Sequence, residues 1–385
     1  MAPPNNGSPA LYISVAIGYQ TNMGSPDIQP PGNELPVSPA TPGHTAEGFK
    51  AGFVSIVGKP NVGKSTLMNQ LIGERLSIIT SKAQTTRHRI MGILNGNHNG
   101  QPFQLVYSDT PGIIQPKYKL HESMMSFVRG SLEDADVILF VTDIFERHDE
   151  EDVIKRLKYA NVPIILLINK IDQATPEEVE DKIRYWEEHF EVGGYAVVDE
   201  TPADPDIEEL AEEHELDEEP VADVPADVPS VSRKATEIIP ISALNGFNLD
   251  RLFDDIIRYL PNHPAYFPED ELTDKSERFF ASEIIREKIF LNYKKEVPYS
   301  SEVIVTGFKD REDMIVISAE ILVERPTQRA ILLGEKGNMI KKTGIMAREE
   351  LERFFGKKVF LETHVKVEPD WRQKERMLRR LGYDE

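Results

Sequence analysis

"GKPNVGKS", Gly58 to Ser65, is the stretch on which the reading of this chain turns. It matches the spacing G-x-x-x-x-G-K-[ST], follows the apolar run "FVSIV" (53–57), and opens an amphipathic segment. A strand, a glycine loop and a helix in that order form a phosphate loop. The glycines let backbone N–H groups close around a β-phosphate, and the helix N-terminus adds its positive end. Gly58, Asn61, Val62, Gly63, Lys64, Ser65 and Thr66 are therefore candidate nucleotide contacts. Lys64 would bridge β- and γ-phosphates, and the Ser65 hydroxyl would ligate Mg²⁺.

Three further stretches follow in order. In "SDTPGII" (108–114), Asp109 comes directly after the apolar run "FQLVY" (103–107), where such sheets bind ligands. It would hold Mg²⁺ through water, and the Gly112 N–H would touch a γ-phosphate. "NKID" (169–172) follows the run "PIILLI" (163–168). Guanine offers two adjacent donors that one carboxylate accepts together, and adenine has no such edge, so Asp172 selects GTP over ATP. Asn169 would brace the base loops, and the Lys170 stem would lie along the base. "SAL", Ser242, Ala243 and Leu244, can offer a backbone N–H to guanine O6. Between the phosphate loop and Asp109 lies "TSKAQTTRHRI" (80–90), where a threonine hydroxyl could complete the Mg²⁺ shell only beside a γ-phosphate, making a switch. Thr86 is chosen over Thr85.

The chain around these motifs has 385 residues, 40% hydrophobic and 28% charged, the balance of a soluble globular protein with two or three cores. It has no cysteine, which removes disulfides and thiolate chemistry and fits a reducing cytosol. Its apolar runs are all far short of the ~20 residues that span a bilayer. Residues 1–48 lack a signal peptide's features and read either as a disordered extension or as the product of an upstream start codon, with Met23 a later candidate start. Apolar runs alternating with amphipathic stretches at 118–133, 150–159 and 176–189 predict an α/β domain over 49–260, a mostly parallel sheet with helices on both faces. "LDRLFDDIIRYL" (249–260) closes it, and 261–275 reads as a linker.

The formal charge of −21 is unevenly spread. Glu191 to Ser232 holds 15 acidic residues and no Lys or Arg, and 193–234 reads as a solvated low-complexity insert. Arg325 to Arg380 holds 15 Lys and Arg against 8 Asp and Glu, a basic module on an acidic remainder. Residues 276–385 predict the order α-β-β-α-α-β, with "GEKG" (334–337) between two helices. Gly334 and Gly337 would let a nucleic-acid backbone approach the main chain, while Lys336, Lys341 and Lys342 neutralise phosphates. Glu335 is an acidic departure inside that loop. Ile331, Leu332 and Ile340 are expected in a groove floor or core. "WRQKERMLRR" (371–380) predicts a basic terminal helix whose Trp371 packs rather than stacks on a base.

The order "GKPNVGKS … TTRH … DTPG … NKID … SAL" resembles the translation-factor-like P-loop GTPases. With "SIITSKAQTTRHRI", "FPED" and "FFASEIIREK" (279–288) it resembles more closely the Era family of ribosome-assembly GTPases, over roughly residues 50–385 apart from the insert. The resemblance implies a GTPase domain followed by a type II KH domain, with GTP or GDP and Mg²⁺ as ligands. It implies slow hydrolysis helped by Lys64, Thr86 and Gly112, and binding to the 3′ region of small-subunit (16S) ribosomal RNA during assembly of the 30S subunit. A monomer in the cytoplasm, with peripheral contact to the cytoplasmic face of the inner membrane through the basic terminal helix, is also implied. Ile113 stands where many GTPases carry a water-orienting glutamine. Asn61 matches an asparagine that helps coordinate K⁺ in related enzymes with a hydrophobic residue there. The other reading from these residues is an RNA-binding assembly factor whose nucleotide pocket is only structural.

Overall fold

The computed structural model describes residues 48–146, 162–189 and 237–383. The expected N-terminal extension (up to residue 47), the helical stretch 150–159 and the acidic insert 193–234 lie outside the described residues. Among those described, the first domain is a six-stranded sheet in the order β2-β3-β1-β4-β5-β6. Its strands are β1 (Lys50–Gly58), β2 (Ile90–His98), β3 (Gln101–Asp109), β4 (Val137–Asp143), β5 (Ile164–Asn169) and β6 (Glu237–Pro240). All pairings are parallel except β2 with β3.

Every residue of β4 and β5 is buried, as continuous apolar runs require when both faces of a sheet are covered. Alternate residues serve different cores. Val137, Leu139 and Val141 pack with Leu67 and Met68 of α1 (Lys64–Ile72). Ile138 and Phe140 pack with Met124, Phe127 and Val128 of α2 (Lys119–Glu133) and with Trp186 of α3 (Pro176–His189). α4 (Leu249–Tyr259) puts Leu252, Ile256 and Ile257 into the first of these cores.

β2 is absent from the sequence-based reading, although "HNGQ" carries the strongest short hairpin signal. Asn99 and Gly100 take φ of 52° and 87°, as a two-residue turn of this twist requires. Residues 261–275 do not hang free between domains. Ile93 N–H donates to Leu272 O (2.9 Å) and Thr273 Oγ1 to Met91 O (2.7 Å), laying the segment along β2, and Gln104 Nε2 of β3 donates to Phe267 O (2.8 Å).

The second domain opens with α5 (Glu277–Asn292), capped by Ser276, and a single helical turn at Val297–Ser300. β7 (Glu302–Asp310) pairs antiparallel with β8 (Met314–Val323), and β8 parallel with β9 (Lys358–Val367). α6 (Pro326–Leu333) and α7 (Asn338–Phe355) flank the glycine loop. Ile285, Ile289, Ile317, Ile321, Ala347 and Leu351 form its core.

The expected continuous helix over 371–380 is a 3₁₀ turn, Trp371–Gln373, followed by α8 (Glu375–Arg380). Lys374, extended at φ −91° and ψ 105°, separates the two. Trp371, Leu378 and Tyr383 are buried in the core beneath α2 and α3, so the chain's end returns to the first domain. Trp371 Nε1 also donates to Ser300 O (2.9 Å). Replacing a buried tryptophan by alanine typically costs about 3–5 kcal/mol. Trp371→Ala should lower the chemical denaturation midpoint accordingly, and an unchanged midpoint would show that the terminal segment adds no stability.

Candidate nucleotide site and nucleic-acid interface

The three candidate metal ligands come from three parts of the chain and meet at one point. Ser65, second residue of α1, donates through Oγ to Asp109 Oδ2 at the end of β3 (2.7 Å). Thr86 Oγ1 lies 2.9 Å from Ser65 Oγ and 3.5 Å from Asp109 Oδ2. Thr85 points elsewhere, its hydroxyl 2.6 Å from that of Thr80 and donating to Lys82 O. Asp109 Oδ1 is buried without a hydrogen-bond partner among the described residues. Burial pushes the Asp109 carboxyl up, while the Ser65 hydroxyl and the Lys64 ammonium pull it back. Two hydroxyls around a carboxylate with an oxygen to spare form a hard-oxygen set that suits Mg²⁺.

Lys64 Nζ donates to Gly58 O (3.1 Å) and Lys59 O (2.8 Å), folded against its own loop. Burial lowers its pKa to about 8, against the pull of Asp109 and Glu146. A β-carbon at Gly112 would fall 2.6 Å from Pro60 Cγ and 2.7 Å from Pro60 N, so only glycine lets "DTPG" lie against the phosphate loop. The next residue, Ile113, donates its N–H to Gly58 O (3.0 Å). The Ile113 and Ile114 side chains pack against the second core, leaving no polar side chain at that position.

At the base end, Asn169 is buried and joins three loops. Its Nδ2 donates to Val62 O (2.7 Å), and its Oδ1 accepts from Ala243 N–H (2.9 Å). Ser242 Oγ donates to Asp172 Oδ1 (2.6 Å) and so orients that exposed carboxylate. Lys170, at φ 65°, donates to Asn61 O (2.7 Å) and Asp143 Oδ2 (2.6 Å). Leu244 is exposed. A cleft lined by Asn61, Gly63, Lys64, Thr66, Thr86 and Gly112 lies at the phosphate end and reaches Lys170. Asp143 and Glu146, which pair with Lys170 and Lys59, escaped the sequence reading. An acidic residue directly after the apolar run of β4, as Asp109 stands after β3, was the available signal.

In the second domain Gly334 closes α6 at φ 68° and ψ −174°, a region open only to glycine, and a β-carbon there would meet Met339. Gly337 takes φ 77° with open space around it. Lys336, Lys341, Lys342 and Glu335 are all exposed on this loop and the first turns of α7. Leu332 is buried, and Ile340 packs against the core. Ile331, expected in the groove floor or core, is 49% exposed and so lies outside the core. The buried stripe of α6 runs through Gln328 and Leu332, four residues apart, and Ile331 falls beside it.

A phosphate loop, an aspartate and a guanine-selective turn at strand ends, followed by a G-x-x-G domain, define a P-loop GTPase joined to a KH domain. Residues 53–170 match the family model described as 50S ribosome-binding GTPase, and 296–372 match the KH domain model. The chain is 40% identical to GTPase Era of Syntrophus aciditrophicus, covering 88% of this chain and 96% of that protein. It is 39% identical to GTPase Era of Geobacter metallireducens, covering 87% and 98%. A crystal structure of Era with MgGDPNP and nucleotides 1506-1542 of 16S ribosomal RNA superposes with a TM-score of 0.72 at 39% identity, over 88% of this chain and all of that one. A variant of Aquifex aeolicus Era bound to GDP·AlF4⁻ gives the same TM-score at 38% identity, over 87% and 100%. The chain belongs to the Era family of GTPases. It is a GTPase whose ligands are GTP or GDP and Mg²⁺.

A polyphosphate drawn into the loop favours the charged form of Lys64. Because the free ammonium titrates near 8, nucleotide affinity should be level below that pH and fall by about tenfold per unit above it. Titration calorimetry with GDP at pH 7, 8 and 9, at fixed Mg²⁺ and ionic strength, checks this. A flat profile would contradict it.

Proposed function

We propose that this chain is a GTP-hydrolysing switch that binds the 3′ region of 16S ribosomal RNA and assists small-subunit assembly. The observation that carries the reading is the convergence of Ser65, Thr86 and Asp109 beside Lys64, in a chain that also bears an exposed basic G-x-x-G loop. The alternative, an idle structural pocket, would not require a buried lysine, an orphaned carboxylate oxygen and a switch threonine to meet. The matching GTPase family model is described by 50S binding, but it covers only residues 53–170. The Era–16S RNA complex aligns along 88% of the chain, so the small-subunit reading is preferred.

In this reading Gly58, Asn61, Val62, Gly63 and Thr66 cradle the phosphates, and Lys64 spans the β- and γ-phosphates. Ser65 and Thr86 ligate Mg²⁺ directly, and Asp109 holds it through water. Mg²⁺ neutralises charge on the β- and γ-oxygens. Gly112 donates its N–H to the γ-phosphate, Asp172 accepts both guanine donors, and the Ser242–Ala243–Leu244 turn presents a backbone N–H to O6, that of Leu244 because the Ala243 N–H is given to Asn169. Lys170 lies along the base. With Ile113 packed away, no side chain there orients the attacking water, so intrinsic turnover is slow. Asn61 would contribute to a K⁺ site that stabilises charge in place of an arginine finger. Gly334, Lys336, Gly337, Lys341 and Lys342 form the RNA face. The protein acts as a cytoplasmic monomer. Because Trp371, Leu378 and Tyr383 are buried internally, contact with an anionic membrane would rest on charges such as Lys374 and Arg376; sedimentation with anionic vesicles tests it.

Asp172→Asn would set an N–H against guanine's N–H. The preference for GTP over ATP should fall by about 10² or more in competition binding. Equal ATP affinity in the unmutated protein would sink the guanine assignment. Lys336→Ala should weaken binding to any RNA sequence and make log Kd against log salt shallower by about 0.7. GTP affinity without RNA should not change, and an unchanged salt slope would remove Lys336 from the phosphate contacts. Phosphate release should rise when small ribosomal subunits are added, and in KCl over NaCl at equal ionic strength. No response to subunits favours the idle-pocket reading, and no response to the cation removes the K⁺ role.

A further inference from the structure

The loop that carries Thr86 is held from the second domain at three points. Lys82 donates to the carbonyls of Phe290 and Tyr293 at the end of α5. Arg286, buried in the same helix and paired with Glu283, donates to Thr85 O. Arg87 makes the largest set of contacts. Its side chain is fully buried, and Nη1 donates to Ser301 O (2.9 Å) and Glu302 Oε2 (2.8 Å). Nη2 donates to Tyr299 O (2.9 Å) and Pro298 O (3.4 Å). Glu302 Oε2 also accepts from Tyr383 Oη (2.6 Å), whose ring stacks on His88 with centroids 4.2 Å apart. The first domain's switch loop, the start of β7 and the chain's last described residue thus share one buried charged cluster.

Burial pushes the Glu302 carboxyl up, but the Arg87 and Arg286 guanidiniums more than offset it and hold it below the usual carboxylate range. Withdrawing Arg87 would leave Glu302 with only Arg286 and Tyr383 to offset its burial, and would leave the buried guanidinium itself without its carboxylate and carbonyl partners, so undocking at this point is costly. One peptide bond links this anchor to Thr86, whose hydroxyl must sit within ligand distance of Ser65 and Asp109.

We infer that Arg87 is a positioning residue: anchored on Glu302, it sets Thr86 in place, so that docking of the KH domain completes the γ-phosphate-dependent ligand set. The inference rests on the reading of Thr86 given above. It separates from simple domain adhesion because Thr86 acts only when a γ-phosphate is present, so GDP affinity should be indifferent to it.

The test uses the full chain with Mg²⁺. Affinities for GDP and for a non-hydrolysable GTP analogue are measured in the unmutated protein, Thr86→Ala, Arg87→Ala and the double variant. Residues that orient a metal ligand typically contribute about 10- to 100-fold. Arg87→Ala should weaken analogue binding by that factor, leave GDP unchanged, and add nothing to Thr86→Ala. Equal weakening of both nucleotides, or effects that multiply in the double variant, would overturn the inference. If Arg87→Ala does not fold, Glu302→Gln, which keeps the shape and removes the charge, carries the same expectation and the same refutation. A ratio unchanged in Thr86→Ala overturns the reading of Thr86 and this inference with it. A ratio lost in Thr86→Ala but kept in Arg87→Ala and Glu302→Gln overturns this inference alone.

Discussion

The parallel pairing of β1 with β3 sets Ile56 opposite Asp109, and the nucleotide site depends on that register. Thr110 Oγ1 donates to Ile56 O (2.8 Å) and pins the turn that follows. From there Asp109 reaches Ser65, Gly112 lies on Pro60, and Ile113 N–H meets Gly58 O. A slip of one residue would send the Asp109 side chain to the other face of the sheet. The two apolar cores, fed by alternate residues of β4, resist such a slip because every inward side chain would change sides together.

Docking of the second domain follows a different logic. Arg87, Arg286, Glu302 and Glu283 are all buried at the junction, with the Arg75–Glu287 and Arg75–Glu350 pairs nearby. Buried ion pairs add little net stability against apolar substitutes, but a broken one is costly. A junction built this way favours discrete arrangements over gradual sliding, as a switch needs. The C-terminal segment reinforces it, with Trp371 hydrogen-bonded to Ser300 and packed into the first domain's core.

Much of this was legible in the sequence because the signals are local. Apolar runs of five or six residues mark β1 and β3–β5, the glycine loop and "NKID" follow strands, and the helices on both sides of "GEKG" keep their period. Contacts between distant residues were not legible. Arg87 and Glu302 are 215 positions apart, and no spacing rule links them. β2 was not legible as a strand because "IMGILNGNH" is interrupted by Gly92, Asn95, Gly96 and Asn97 and carries no apolar run like those of its neighbours. The terminal helix was drawn too long because its charges are periodic across Lys374, where the backbone extends. Trp371 was placed correctly as a packing residue, but its partner, the nucleotide domain's core, could not be named.

A GTP-hydrolysing switch of the kind proposed requires the bound nucleotide to govern the RNA-binding domain. The most direct measurement is the affinity of the full chain for a single-stranded RNA matching the 3′ end of 16S ribosomal RNA, at one salt concentration, with a GTP analogue, with GDP and without nucleotide. The account predicts tightest binding with the analogue, and by linkage the RNA must tighten analogue binding by the same factor. Three equal affinities would contradict it and leave an RNA-binding protein with an idle pocket.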